Sequence, residues 1–178
     1  MDVSGSEVVV RAADRVSAYS GESVSLSTQD VDLSAGGSVS AFAGESASLV
    51  SGRVSVTAAE ALHVSTGATG SLGFQTGSLG VSADGEVSIA SSSDVSVGGR
   101  SVRVSSGEDV EVSSGSALHL SAGSDIEMSS GSGVVGRVGD TLDVVAGGVS
   151  VSSGSSVDVT GGDMSVSSDG DVSGYATG

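Results

Sequence analysis

The chain has 178 residues, a mass of 16.9 kDa, a net charge of −16 and a pI near 4.1. Ser, Val and Gly supply 43, 31 and 29 residues, while Cys, Pro, Trp, Lys and Asn are absent. Disulfides, Cys-based zinc or thiol chemistry, N-glycosylation and a Lys-containing phosphate loop are therefore excluded. The charge excludes an electrostatic surface for nucleic acid or anionic lipid. Aromatics, at 2%, exclude base-stacking platforms and aromatic-lined pockets.

A Ser- and Gly-rich acidic composition also suits a flexible linker, but the order of the residues opposes that reading. Stretches such as Ser23-Val24-Ser25-Leu26-Ser27 and Asp109-Val110-Glu111-Val112-Ser113 alternate strictly. Alternate side chains of a strand point to opposite faces, so this pattern buries one face and wets the other. No useful length shows helical spacing. Met1-Asp2-Val3-Ser4-Gly5 has no basic start, and no apolar run approaches the roughly 20 residues of a membrane span. The expectation is one repeat domain over residues 1–178, either a mature or cytosolic chain or a segment of a longer protein, with no signal peptide visible in it and no direct membrane insertion.

Taken in chain order, the elements are short strands of one form, apolar-x-apolar-x-x-Gly. They begin at Val8, Val16, Val24, Val31, Val39, Ala47, Val54, Leu62, Leu72, Leu79, Val87 and Val95. They continue at Val102, Val110, Leu118, Ile126, Val134, Leu142, Val149, Val157, Met164 and Val172, giving 22 units. A Gly stands five residues after the first apolar position in 14 of them, which marks a corner. The pattern predicts two inward side chains per unit and a Gly chosen for unusual backbone angles. Such a unit cannot bury its face alone. Stacking at roughly 4.8 Å gives a continuous Val-lined core and pairs the backbone groups. Outward Ser then forms neutral, soluble faces, and the absence of Pro spares the ladders.

Two all-β architectures use such units. One is a three-sided β-solenoid (β-helix) of about 23 residues per coil, with unit n on unit n+3. The other is an interwoven trimeric β-helix. Most steps are eight residues, but those after Val24, Ala47, Leu72, Val95, Leu142 and Val157 are seven. The first five follow units whose number is a multiple of three, which predicts one tighter vertical edge and favours the single-chain coil. Ala68-Thr69-Gly70-Ser71 reads as a corner insertion. Under n, n+3 stacking, Arg103 falls beside Glu127 and His119 beside Asp143, as cross-strand pairing favours.

The runs from Ser101 to Gly131 and from Glu22 to Gly52 resemble the octapeptide β-helix needles of phage tail-spike and type VI secretion spike proteins. They are also similar to the β-helical ectodomain of sarcoglycans. That resemblance implies a rigid extracellular or cell-surface rod built from three chains.

Chemistry is sparse. His63 and His119 each lie between two inward residues, so both face outward and are far apart in either architecture. With 43 serines a Ser-His-Asp match carries no information. Catalysis is not expected, because six Arg, four aromatics (Tyr19, Phe42, Phe74, Tyr175) and the lack of a long loop leave nothing to build a cleft. No catalytic residue or cofactor is assigned. Calcium is the one metal with a rationale. Glu60, then Asp84 and Glu86, then Glu108 and Asp109, share one edge of a single-chain coil, and oxygen-ligated Ca²⁺ would relieve their repulsion. Their plainer role is as solvated charges against edge-to-edge aggregation.

The function expected is that of a structural rod: a rigid spacer, spike or filament segment. The end segments, Met1 to Glu7 and Gly174 to Gly178, carry no capping helix, so the expectation is self-association, end to end in a filament, laterally or as a homotrimer, or else excision from a longer solenoid. The alternative is an extracellular adhesin or glycan-binding module assisted by Ca²⁺.

Overall fold

A computed structural model describes residues 2–67 and 69–176. Nineteen parallel strands and no helix are found among them. The first seven are Asp2–Ala12 (β1), Val16–Ser20 (β2), Ser23–Ala35 (β3), Val39–Ala43 (β4), Ser46–Ala58 (β5), Leu62–Thr66 (β6) and Ser71–Ala83 (β7). Next come Val87–Ser91 (β8), Val95–Gly99 (β9), Ser101–Ser106 (β10), Val110–Ser114 (β11), Ala117–Ala122 (β12) and Asp125–Ser130 (β13). The last are Gly133–Val138 (β14), Thr141–Ala146 (β15), Gly148–Ser153 (β16), Ser156–Thr160 (β17), Asp163–Ser168 (β18) and Val172–Ala176 (β19).

Every unit stacks on the unit three further along the same chain. On the first face Val8, Val31, Val54, Leu79, Val102, Ile126, Val149 and Val172 form one column. The second face aligns Val16, Val39, Leu62, Val87, Val110, Val134 and Val157. The third aligns Val24, Ala47, Leu72, Val95, Leu118, Leu142 and Met164. The protein is thus a three-sided β-solenoid closed by one chain, and the interwoven register, in which neighbouring units of other chains stack, is not the one adopted. Pairing this regular leaves Val87, Val95 and Val110 with no accessible surface.

One of the six seven-residue steps, after Val157, lies between the second face and the third; the other five lie where the third face turns into the first. There β3, β5 and β7 run through the corner unbroken, each 13 residues long. Beyond Gly99 the same corner is broken, so β9 and β10 are separate strands. The coil from Val54 to Leu79 is 25 residues, and its extra length falls between Thr66 and Ser71. Of that insertion, Ala68 lies outside the described residues, as do Met1, Thr177 and Gly178 of the end segments.

Two expectations need correction. First, the corner glycines are not there for unusual backbone angles, because no described residue, Gly included, has positive φ. Their reason is proximity. A Cβ on Gly44, Gly107, Gly115 or Gly139 would fall far inside 3.0 Å of the carbonyl oxygen of Gly21, Asp84, Ser92 or Gly115 in the coil before. Coils at strand spacing bring that carbonyl to the place a side chain would begin. Second, each unit turns three side chains inward, not two. The fifth residue also points in, and it is Ala, Ser, Thr or Gly in every unit except the one ending at Val138. Ala35, Ala43, Ala58, Ala83, Ala122 and Ala146 are buried there, as are Ser51, Thr66, Thr76, Ser91, Ser114 and Ser153. The triangle narrows at its corners, so only small groups fit.

Apart from Thr76 Oγ1 and Ser130 Oγ, which have no partner, the buried hydroxyls are hydrogen-bonded. Ser114 Oγ donates to the Ser93 carbonyl (2.6 Å) in the coil before or to the Ala117 carbonyl (2.8 Å) of its own corner. Ser51 Oγ has the same choice between the Gln29 (3.0 Å) and Arg53 (2.9 Å) carbonyls. Ser91, Ser153 and Ser168 bond to the carbonyls of Gly70, Ser132 and Gly147. The carbonyls of Ser93, Ser132 and Gly147 also accept the N–H of Ser116, Ser155 and Gly170, so each bond gives the buried hydroxyl a partner, as buried polar groups need, and the carbonyl a second donor. Part of the Ser content is therefore structural lining, not outer surface.

Candidate functional site

The edge between the first and second faces does collect the predicted carboxylates. The backbone stacks there through Glu60 N–H to the Gly37 carbonyl (3.1 Å), Gly85 N–H to Glu60 (2.6 Å) and Glu108 N–H to Gly85 (3.4 Å). The side chains are engaged in opposite directions. Glu60 Oε2 accepts from Ser38 Oγ (3.2 Å) in the coil before, and Asp109 Oδ1 accepts from Gly133 N–H (2.8 Å) in the coil after. Among the described residues no three His, Asp or Glu side chains form a group that could hold a metal ion. Glu60, Asp84, Glu86, Glu108 and Asp109 thus share an edge without converging on a point. His63 and His119 face outward and are exposed.

The outer faces carry ion pairs that tie one coil to the next. Arg103 Nε meets Glu127 Oε2 at 2.7 Å, and Arg53 Nε meets Asp30 Oδ1 at 3.5 Å, each directly across the ladder. Arg11 reaches Asp32 diagonally at 3.2 Å, and Arg137 reaches Glu111. His119 Nδ1 lies 3.9 Å from Asp143 Oδ2. The Arg103–Glu127 and His119–Asp143 pairs are those the repeat predicted. All are exposed and hold coils together weakly; none frames a cleft.

The ends break the repeat. At the carboxyl-terminal end Met164, Val166 and Val172 are 58%, 51% and 60% exposed although they occupy inward columns. Gly136 stands in the inward column of Val64, Ile89, Val112 and Val159, and Gly174 in that of Met128 and Val151. The core opens here into an apolar space of about 290 Å³ lined by Val144, Val151, Val159 and Val166 among others. At the amino-terminal end Val10 is exposed, and Ala18 and Ala41 stand where Val64 and Ile89 stand higher up. They leave an apolar space of about 100 Å³. Tyr19, 75% exposed, stacks on Phe42 with ring centroids 5.3 Å apart on the outer side of the second face.

Strands β1 and β2 at one end, and β17, β18 and β19 at the other, each lack a neighbour on one side. Such edges offer unpaired N–H and C=O groups as a template for another strand. Sequence reasoning predicted open ends from the lack of capping segments. The particular residues were legible only as the first and last members of the apolar columns. No protein-family model, curated protein or solved structure matches the chain, so its architecture rests on this stacking register itself.

Proposed function

We propose that this chain is a structural β-solenoid, a rigid rod segment that self-associates through its ends. The observation that carries the reading is the continuous parallel stacking on all three faces around one apolar core. Exposed apolar surface next to free backbone groups favours further stacking of the same kind. The continuous parallel pairing between the ends supplies stiffness. The test is mass in solution by light scattering across a concentration series. Multiples of 16.9 kDa that grow with concentration support the rod segment; a constant 16.9 kDa overturns it. The adhesin reading has one observation in its favour, the outward Tyr19–Phe42 stack. Glycan-array binding abolished by Tyr19→Ala would support it, and a blank array would sink it.

A further inference from the structure

We propose that the outer side of the third face holds a binding site for a neutral sugar, in the depression that Gly73 and Gly98 open beside Val50, Gln75 and Ser96. The site goes beyond the rod reading and does not depend on it. It also lies on a different face from the Tyr19–Phe42 stack.

Some glycines are not required by the fold. Gly73, Gly80 and Gly98 are outward residues inside β7 and β9, away from the corners. No described residue has positive φ, so backbone angle is not their reason. Proximity is not their reason either, because a Cβ at any of the three would meet nothing nearer than 3.8 Å. That sets them apart from Gly44, Gly107, Gly115 and Gly139. The ladders pass through Gly73 and Gly98 without a bulge: Ser48, Gly73 and Ser96 align, as do Val50, Gln75, Gly98 and Ser121. Gly inside an unbulged strand weakens it, and it marks a place that another group approaches closely.

Gly73 and Gly98 lie diagonally across one ladder, so their missing side chains merge into a single space of about 330 Å³. That is at the lower end of small-molecule sites, roughly 300–1,000 Å³. The depression is made by leaving side chains out, so no neighbouring coil has to accommodate a specialised group. A second flat sheet laid on this face would rest on the exposed Val50 and Gln75 and leave the space unfilled, whereas a single ring enters it.

The lining selects the ligand. No residue that lines the space is charged. No outward residue of the third face from Ser25 to Gly98 is charged either, in a chain with six Arg and 22 Asp and Glu. Asp94 and Arg100 stand at the corners that bound β9, and Asp94 Oδ1 accepts from Ala117 N–H (3.2 Å) in the coil after. The lining therefore offers no counter-ion to a phosphate, sulfate or carboxylate. The Ser48 and Ser96 hydroxyls and the Gln75 amide supply both donors and acceptors. Val50 gives an apolar wall, and the partly buried Phe74 also lines the space. A pyranose has the matching composition, with hydroxyls at its rim and C–H bonds on its faces.

An array of neutral, sialylated and sulfated glycans, incubated with the labelled full chain, tests the site. Binding to neutral glycans alone is expected. Gly98→Val fills the space, and Val50 and Val145 show that the same column accepts Val. It should abolish binding with the Tm unchanged or raised, since Val suits a strand better than Gly. Gln75→Ala should weaken binding by about threefold to tenfold, the worth of one hydrogen-bonding group. A blank array overturns the proposal, and so does a preference for sialylated or sulfated glycans. Binding kept by Gly98→Val but lost by Tyr19→Ala overturns this site and leaves the adhesin reading standing. A lower mass in solution for Gly98→Val with glycan binding intact also overturns it, because the space then receives a second copy. Mass alone decides the rod reading, so the two can fail separately.

Discussion

The proximity argument for the corner glycines can be tested at Gly115. Its N–H donates to the Ser91 carbonyl at 3.0 Å, and Ser116 N–H to Ser93 at 3.0 Å, so the corner is clamped to the coil before. Adding a Cβ puts it inside 3.0 Å of the Ser92 carbonyl oxygen. Relief requires the two coils to part by about 1 Å, which stretches both hydrogen bonds. Overpacking costs about 1–3 kcal/mol, and two weakened bonds add about 0.5–1.5 kcal/mol each. Gly115→Ala should therefore destabilise by about 2–6 kcal/mol in a urea titration followed by circular dichroism. Gly123 is the control. It occupies a corner of the same sequence form, yet its Cβ would lie 4.0 Å from the nearest atom, Arg100 Cα. There Ala should be neutral or stabilise by about 0.4–1 kcal/mol, through lower entropy of the unfolded chain. Asn separates proximity from backbone angle. If left-handed angles were the reason for Gly, Gly115→Asn would be milder than Gly115→Ala, because Asn tolerates them; proximity makes Asn at least as harmful. A milder Asn variant, or equal damage from Gly115→Ala and Gly123→Ala, would refute the reasoning.

Thr76 Oγ1 is buried with no partner, whereas Ser114 Oγ has two carbonyls within reach. Thr76→Val should then stabilise, and Ser114→Ala destabilise, by about 1 kcal/mol each in the same titration; equal effects of one sign would count against the corner hydroxyls as acceptor-satisfying groups. Arg103 and Glu127 are 71% and 46% exposed, so a double-mutant cycle should give a coupling below about 0.5 kcal/mol that vanishes in 1 M salt. Because Glu60 and Asp109 are drawn to opposite neighbours, neither EDTA nor millimolar Ca²⁺ should move the Tm; a rise of several degrees with Ca²⁺ would place a cation on that edge.

All 22 unit starts fall in the columns the repeat assigned to them, and the reason is physical. A one-residue slip turns every inward Val outward, so alternation alone fixes the register wherever Val, Ile or Leu is the inward residue. The tight edge was legible because chain length around a corner is counted directly in residues. Small residues were less readable. The letters Ala, Ser and Thr at the fifth position suit a solvated loop as well as a crowded corner, and only their recurrence in 19 of 22 units separates the two. Gly is ambiguous in the same way, since positive φ and close approach select the same residue. The carboxylate edge was placed correctly by stacking, but side-chain direction was not. Glu60 turns to Ser38 and Asp109 to Gly133 because each finds its own donor, and the period of the chain says nothing about donors.

The regularity that makes the fold readable also limits where function can reside. An inward position is occupied by an apolar side chain or a corner hydroxyl. An outward position has a neighbour one strand spacing above and below, often an ion partner one coil away, so a specialised group disturbs two coils at once. Only the ends escape this constraint, since a terminal coil has one neighbouring coil and an interior coil has two. In a stack whose stability is a sum of coil and interface terms, the terminal coils are the weakest. The exposure of every side chain in β17, and of all but the last in β18, is the structural expression of that deficit.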